Sequence, residues 1–462
     1  MRHVYLILVA TLAACGGVGP ETEPAPWAYG PKADWTQEQL RGAIGGVFLV
    51  EQFTAQVSSQ MVNNIQLRPP GGILFWNGTA ATRADAVKLR AVIATYSEAA
   101  RAAGHGPILF STDYEGGALK RSLTWKKIPG IQRFTDGFTA LAHPRWLGQA
   151  YRTSPDLGRE LARLHGEIIA RELRSVGLNY PLSVVGDLAY GLFAVRGIDT
   201  DEQIVAELMP EVLDGALSEA GMLFVTKHFP GLGQTSGDTH DNVVTSKVTD
   251  PVVAERHLLP FRTAVEHLAG TPDAARLSLM CGHAVFPLFD AELNTTTSPS
   301  ILQQLLREDP EGTMPVQPLG FEGIALSDAM WMGPYGTLSW SKLKLVYLES
   351  FLAGMDMLMI PGSRYGQARE YFAAVLDDQL SASERAAAEA ALGAPWATLH
   401  QRFMARLEQS LNRIGAAQAR LSHAQDLIDD PDVIPTDVTG VKRQRYHEIL
   451  KQVDPRWIAE LP

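Results

Sequence analysis

The sequence predicts an α/β protein of the (β/α)8, TIM-type barrel class. Three observations carry that prediction. Eight short apolar runs recur along the chain, each continuous rather than alternating, as in parallel strands covered on both faces. Helical stretches lie between several of them. The polar residues best able to do chemistry cluster just after the C-terminal ends of the runs, and in a barrel those ends meet at one rim. A doubly wound open sheet is the structural alternative, and the clustering is the reason to prefer the barrel.

The elements follow in order. Arg2 and His3 precede VYLILVATLA, a run too short to span a bilayer but suited to a signal-peptide core. It ends in LAAC, Leu12 to Cys15, which resembles the lipobox of bacterial lipoproteins. That resemblance implies removal of residues 1–14 and a lipid on Cys15. Residues 15–34, rich in Gly, Pro, Glu and Ala, read as a tether. Gly16, where an Asp often retains lipoproteins at an inner membrane, favours an outer-membrane anchor. The expected location is the cell envelope, periplasm-facing or at the cell surface.

A single barrel domain is expected over 35–423. Thr36 and Gln39 can form a capping box that opens its first helix. The strand candidates are 45–50, 72–76, 107–113, 178–184, 222–226, 277–282, 323–328 and 357–360. Between the third and fourth runs lies a helix from Ser154, a plausible N-cap followed by Pro155, to Gly177. Leu157, Leu161, Leu164, Ile168 and Leu173 form its apolar stripe. A second helix is expected from Asp201 to Ala220, closed by Gly221. An Ala-rich helical stretch follows Gln379, and a long helix runs from about Trp396 to Leu421. Residues 424–462, with Asp, Pro and the basic KRQRYH, read as a surface extension rather than a second catalytic domain.

Bulk properties narrow the function. The chain has 462 residues and a net charge of −11, with no basic stripe, so a nucleic-acid partner is not expected. An uncharged or cationic substrate fits better. Its 46% hydrophobic content is enough for a large core. There are two cysteines. With Cys15 lipidated no intramolecular disulfide can form, and Cys281 in LSLMCG reads as a buried small hydrophobe. A monomer is expected.

The chemistry concentrates in KHFPGLGQTSGDTH, Lys227 to His240. Its glycines exclude a helix and allow a loop that closes over a ligand. Asp238 beside His240 can fix the imidazole tautomer and favour its charged form, giving a tunable proton donor and acceptor. Lys227 and His228 offer donors for hydroxyls or developing negative charge. Two simpler readings compete: Asp238 as a turn cap, or zinc held by His228, Asp238, His240 and His283. No compact ligand spacing supports zinc, so no metal or other cofactor is expected. Asp113 and Asp328 end the third and seventh runs, and His283 follows the sixth.

These segments resemble glycoside hydrolase family 3, in its β-N-acetylhexosaminidase branch that includes the peptidoglycan-recycling β-N-acetylglucosaminidase. KHFPGLGQTSGDTH is similar to that branch's signature loop. GGILFWNG, STDYEGGALKR, LGFEGIALSDAMWM and FLAGMDMLMIP resemble further family segments in the same order. Together they cover roughly residues 40–420. The resemblance implies that Asp328 is the nucleophile, His240 the general acid/base and Asp238 its partner. It implies substrate contacts from Asp113, Arg121, Arg196, Lys227 and His228. Arg196 stands in Arg-Gly-Ile where the family has Arg-Ser-Phe. Other departures are Ala118 for a frequent Arg, Ala329 for a second Asp and Leu232 for a frequent His. An insertion between Lys120 and Ser154 is expected to reshape the rim.

The implied activity is retaining, exo-acting hydrolysis of terminal β-linked N-acetylglucosamine from peptidoglycan fragments or chito-oligosaccharides. The alternatives are a glycoside phosphorylase on the same scaffold and an envelope lipoprotein that binds glycans without cleaving them. His283 reads as a rim or core histidine, and Glu115 as a residue that orients the Gly116–Gly117 turn.

Overall fold

A computed structural model describes residue 32 and residues 34–75, 83–117, 137–235, 237–423 and 434–455. The expected signal peptide, Cys15, all of the tether but Lys32 and Asp34, and Arg121 lie outside the described residues.

Each of the eight apolar runs contains a strand, although in the first Gly45–Val47 belong to a 3-10 turn and the strand begins only at Phe48. The strands are β1 Phe48–Gln52, β2 Gly72–Phe75, β3 Leu109–Asp113, β4 Tyr180–Leu182, β5 Phe224–Phe229, β6 Leu277–Cys281, β7 Ile324–Ala329 and β8 Met357–Ile360. They form one parallel sheet in the order β4-β3-β2-β1-β8-β7-β6-β5. Backbone bonds between the outer strands close the ring. Leu223 N–H donates to Asn179 O (2.8 Å), Lys227 N–H to Val184 O (3.2 Å) and Gly186 N–H to Lys227 O (2.7 Å). The apolar runs are continuous because each strand is covered inside and out: every residue of β2, β3, β4, β5, β6 and β8 is buried.

The helices obey their end signals. Thr36 Oγ1 accepts from Gln39 N–H (3.2 Å) while Gln39 Oε1 accepts from Thr36 N–H (3.1 Å), the reciprocal box that opens Gln37–Ala43. Helix Pro155–Ser175 starts at Pro155, but Ser154 makes no side-chain capping bond. Glu202–Leu217 is capped by Asp201, which accepts from Gln203 N–H at 3.0 Å.

Helix Trp396–Gln418 seals the barrel floor, the end where strands begin. Asp356, just before β8, accepts from Arg307 (2.7 Å), Arg406 (2.9 Å), Arg413 (3.0 Å), Ser410 (2.9 Å) and the Ala325 N–H (3.0 Å). Burial raises the pKa of this carboxyl, but the three guanidinium groups outweigh it and hold it far below the usual range. Gln418 donates to Pro107 O, before β3, at 3.0 Å. The first described residues end here too. Asn412 accepts from Lys32 N–H and Trp35 Nε1–H, both at 2.9 Å.

Residues 434–455 dock more firmly than a surface extension would. A 3-10 turn at Pro435–Val438 leads into helix Gly440–Val453. That helix packs on Arg145–Thr153 and Pro155–Ser175 and buries Tyr446, Ile449 and Leu450 in the main core. Outside, Arg445 pairs with both oxygens of Glu160 at 2.7 Å.

Candidate active site

The C-terminal ends of β3, β5 and β7 and the loop after β5 surround one cleft, with about 630 Å3 of empty space including its open mouth. Asp113, Arg196, Lys227, His228, Asp238, His240 and Asp328 all line it. Of the eight expected catalytic and substrate residues, the cleft thus gathers seven, and Arg121 lies outside the described residues.

One wall is a buried ion network. Lys227 Nζ lies 2.8 Å from both Asp113 Oδ1 and Glu115 Oε1. Arg196 grips Glu115 with two bonds of 2.7 and 2.8 Å. Burial raises the Glu115 pKa, yet Arg196 and Lys227 overcome it and keep the carboxylate ionised. In turn burial lowers the Lys227 pKa, and Asp113 and Glu115 raise it above the ordinary lysine value. Glu115 thus does more than orient a glycine turn. It is the counter-charge that lets two cations sit desolvated at the cleft wall, and it fixes the guanidinium of Arg196 over the Phe193 ring, 5.0 Å away.

A second unit sits on the adjacent strand end. Asp187 is fully buried. Its Oδ2 accepts from the His228 backbone N–H (2.9 Å) and ring Nδ1–H (2.6 Å), and its Oδ1 from Leu232 N–H (2.5 Å). An ionised carboxylate only accepts, so Nδ1 carries the proton and Nε2 is free to face the cleft. The peptide bonds Lys227–His228 and Phe229–Pro230 are cis.

His240 repeats that arrangement at the mouth. Asp238 Oδ1 accepts from its backbone N–H (2.9 Å) and its Nδ1–H (2.7 Å). The simpler reading of Asp238 as a turn cap is therefore half right: it caps the turn and orients the ring. The His240 side chain is 46% exposed, so its outer nitrogen can reach a ligand and exchange protons with water. The loop is held at its base. Thr235 pairs with Ser246, and Val244–Thr245 runs parallel to Ala284–Phe286 in a small separate sheet.

Asp328 closes β7. Its Oδ1 accepts from Ala329 N–H at 2.8 Å. Burial raises its pKa, but His228, His283 and the Ala329 N–H prevail and hold it below the usual carboxylate value. His283 itself is a buried support, donating from Nε2 to Ala329 O (3.1 Å) and bonding Thr296 Oγ1 through Nδ1 (2.7 Å). Burial lowers its pKa. Cys281 is buried and unpaired, and burial pushes its thiol pKa up, so it packs and does not react.

An ionised carboxylate at one strand tip and a carboxylate-held imidazole on a neighbouring loop share a cleft lined with sugar-compatible donors. Fold and site together define a glycoside-hydrolase type of barrel. The chain belongs to glycosyl hydrolase family 3: residues 39–391 match that family's N-terminal domain. It is 34% identical over 245 residues to a β-hexosaminidase of Thiobacillus denitrificans, a match covering 52% of this chain and 60% of that protein. It is 29% identical to a β-hexosaminidase of Nitrosomonas eutropha over 69% of this chain and 78% of that one. Among solved structures, the fold is similar to a family 3 β-N-acetylglucosaminidase from Paenibacillus, with a TM-score of 0.65 and 23% identity over 89% of this chain and 68% of that one. It is also similar to a β-N-acetylhexosaminidase from Beutenbergia cavernae, with a TM-score of 0.62 and 20% identity over 84% of this chain and all of that one.

Proposed function

We propose that the protein is a retaining, exo-acting β-N-acetylhexosaminidase that removes terminal β-linked N-acetylglucosamine. The observation that carries this reading is the shared cleft of Asp328 and the Asp238–His240 pair. Asp113, Lys227, His228 and Arg196 hold the terminal sugar through its hydroxyls. Asp328 attacks the anomeric carbon as the bond to the leaving oxygen breaks. His240, protonated on both nitrogens beside Asp238, gives its outer proton to that oxygen. A glycosyl-aspartate results. The neutral His240 then takes a proton from water, whose oxygen attacks the same carbon and releases the sugar with net retention. An imidazole set by a neighbouring carboxylate replaces the second carboxylic acid of most retaining enzymes. The reaction written this way needs no metal or organic cofactor.

The substrates we assign are peptidoglycan fragments or chito-oligosaccharides. Lipidation at Cys15 and an envelope location, supported by the LAAC segment and the run before it, would place the enzyme where such fragments arise. The test is turnover of an aryl N-acetyl-β-glucosaminide by the wild type, Asp328→Ala and His240→Ala. Asp328→Ala should abolish turnover, and His240→Ala should lower it by roughly 10²–10⁴-fold. Equal activity in all three would sink the assignment. A phosphate-dependent rate giving sugar 1-phosphate would identify a phosphorylase instead. Binding without turnover on any N-acetylglucosaminide would identify a glycan-binding lipoprotein.

A further inference from the structure

We propose that Tyr446, on the C-terminal helix, is a positioning residue for the substrate site, acting through His165 on the Glu115 segment. The inference rests on the reading of that site given above. Tyr446 lies beyond the family match, which ends at 391.

The hydrogen bonds run in one direction only. His165 Nε2 lies 3.1 Å from the Glu115 carbonyl oxygen, which can only accept, so Nε2 carries the proton. Burial lowers the His165 pKa to about 4, which keeps the ring neutral and leaves Nδ1 an acceptor. The Tyr446 hydroxyl, 3.1 Å from Nδ1, must then donate to it. Its oxygen accepts from Ala142 N–H at 3.2 Å. Each N–H and O–H in this buried chain has an acceptor, and the opposite His165 tautomer would set two acceptors against each other at Glu115 O.

The chain ends on the substrate wall. Glu115, whose backbone His165 holds, is the residue that pairs Arg196 with Lys227, and Lys227 contacts Asp113. There is little slack in between. A Cβ on Gly116, at φ +100°, would lie 2.5 Å from Ala142 O and 3.0 Å from His165 Cε1. The extension also grips the opposing segment, residues 137–142. Thr436 N–H donates to Gly137 O (2.9 Å), and the Glu172 carboxyl accepts from Thr139 N–H and Thr439 Oγ1–H, both at 2.7 Å. Gly117 N–H donates to Leu141 O at 2.9 Å, tying the two segments together. If the helix served packing alone, Ile449 and Leu450 would suffice, and the tyrosine hydroxyl would have no work.

The experiment compares full-length wild type, Tyr446→Phe and Leu450→Ala. Tyr446→Phe keeps the ring and removes the hydroxyl. It should raise KM for the aryl N-acetyl-β-glucosaminide about three- to tenfold with kcat little changed, the signature of lost uniform binding. Amide hydrogen exchange should quicken in 114–117 and 139–143 and stay unchanged in β1 and β8. Leu450→Ala should lower Tm without that KM shift. An unchanged KM and unchanged exchange in Tyr446→Phe overturn the proposal. If the wild type turns nothing over, the functional reading fails, and the exchange measurement still decides whether Tyr446 orders the Glu115 segment.

Discussion

The Gly333 amide donates a 3.0 Å hydrogen bond to the carbonyl of His240. Gly333 lies five residues beyond Asp328, so the turn after β7 holds the loop that carries the proposed acid/base. The fit depends on a missing side chain. A Cβ at Gly333 would stand 2.6 Å from Asn242 N, and 2.8 Å from both the Asp241 carbonyl carbon and Thr239 O.

Gly333→Ala should therefore displace the His240 loop without disturbing the barrel. Because an ångström of misplacement can cost about a hundredfold in rate, kcat should fall by roughly 10–100-fold. Steady-state kinetics beside a melting curve provide the check. A variant with wild-type kcat would show that this contact does not place His240.

Asp187→Asn should disturb His228 in a specific way. One end of the amide becomes a donor and must face either the His228 Nδ1–H or the Leu232 N–H, both of which now donate to Asp187. One of those donors loses its acceptor, at a cost of about 1–3 kcal/mol in a buried setting. KM should rise as the outer His228 nitrogen loses its fixed role, and Tm should fall by several degrees. Unchanged KM would remove His228 from the sugar-binding set.

Stability should decline between mildly acidic and neutral pH through Glu172. Burial raises its pKa from 4.5 to about 7 in the folded protein. Between those values the folded chain binds the extra proton, so the unfolded state gains ground as pH rises. The contribution is fully present below pH 4.5 and is lost as pH passes about 7. Glu51, also raised to about 7 by burial, acts with the same sign. Glu172→Gln should keep the shape and flatten this slope by a few degrees of Tm at pH 8 relative to pH 5. Parallel slopes for variant and wild type would refute the assignment.

Asp356→Ala should destabilise without touching chemistry. It strands Arg307, Arg406 and Arg413 against each other beneath the barrel. Removing one member of such a buried cluster costs about 3–5 kcal/mol. Thermal melting should show it, with KM unchanged well below the new Tm. A large KM change would mean the floor communicates with the cleft.

What could be read from the chain and what could not have different physical origins. Strands β1–β8 announce themselves because burial on both faces leaves an apolar run that needs no knowledge of its neighbours. Asp113, Lys227, His228 and Asp328 sit at run ends, so position marks them as candidates, and the resemblance to family 3 segments supplies the roles expected of them. Asp187 also follows an apolar run, and that position was the available signal for it. Its role was hidden because its partner His228 lies 41 residues away. The Glu115–Arg196 pair spans 81 residues and the Ala142–Tyr446 bond 304. Periodicity reports whether a residue is covered. It carries no information about which distant charge covers it.

Lys32 and Trp35 are fastened to Asn412 on the helix that plugs the underside of the barrel. These two residues therefore enter the molecule at the pole opposite the cleft, and a ligand approaching the mouth meets neither of them.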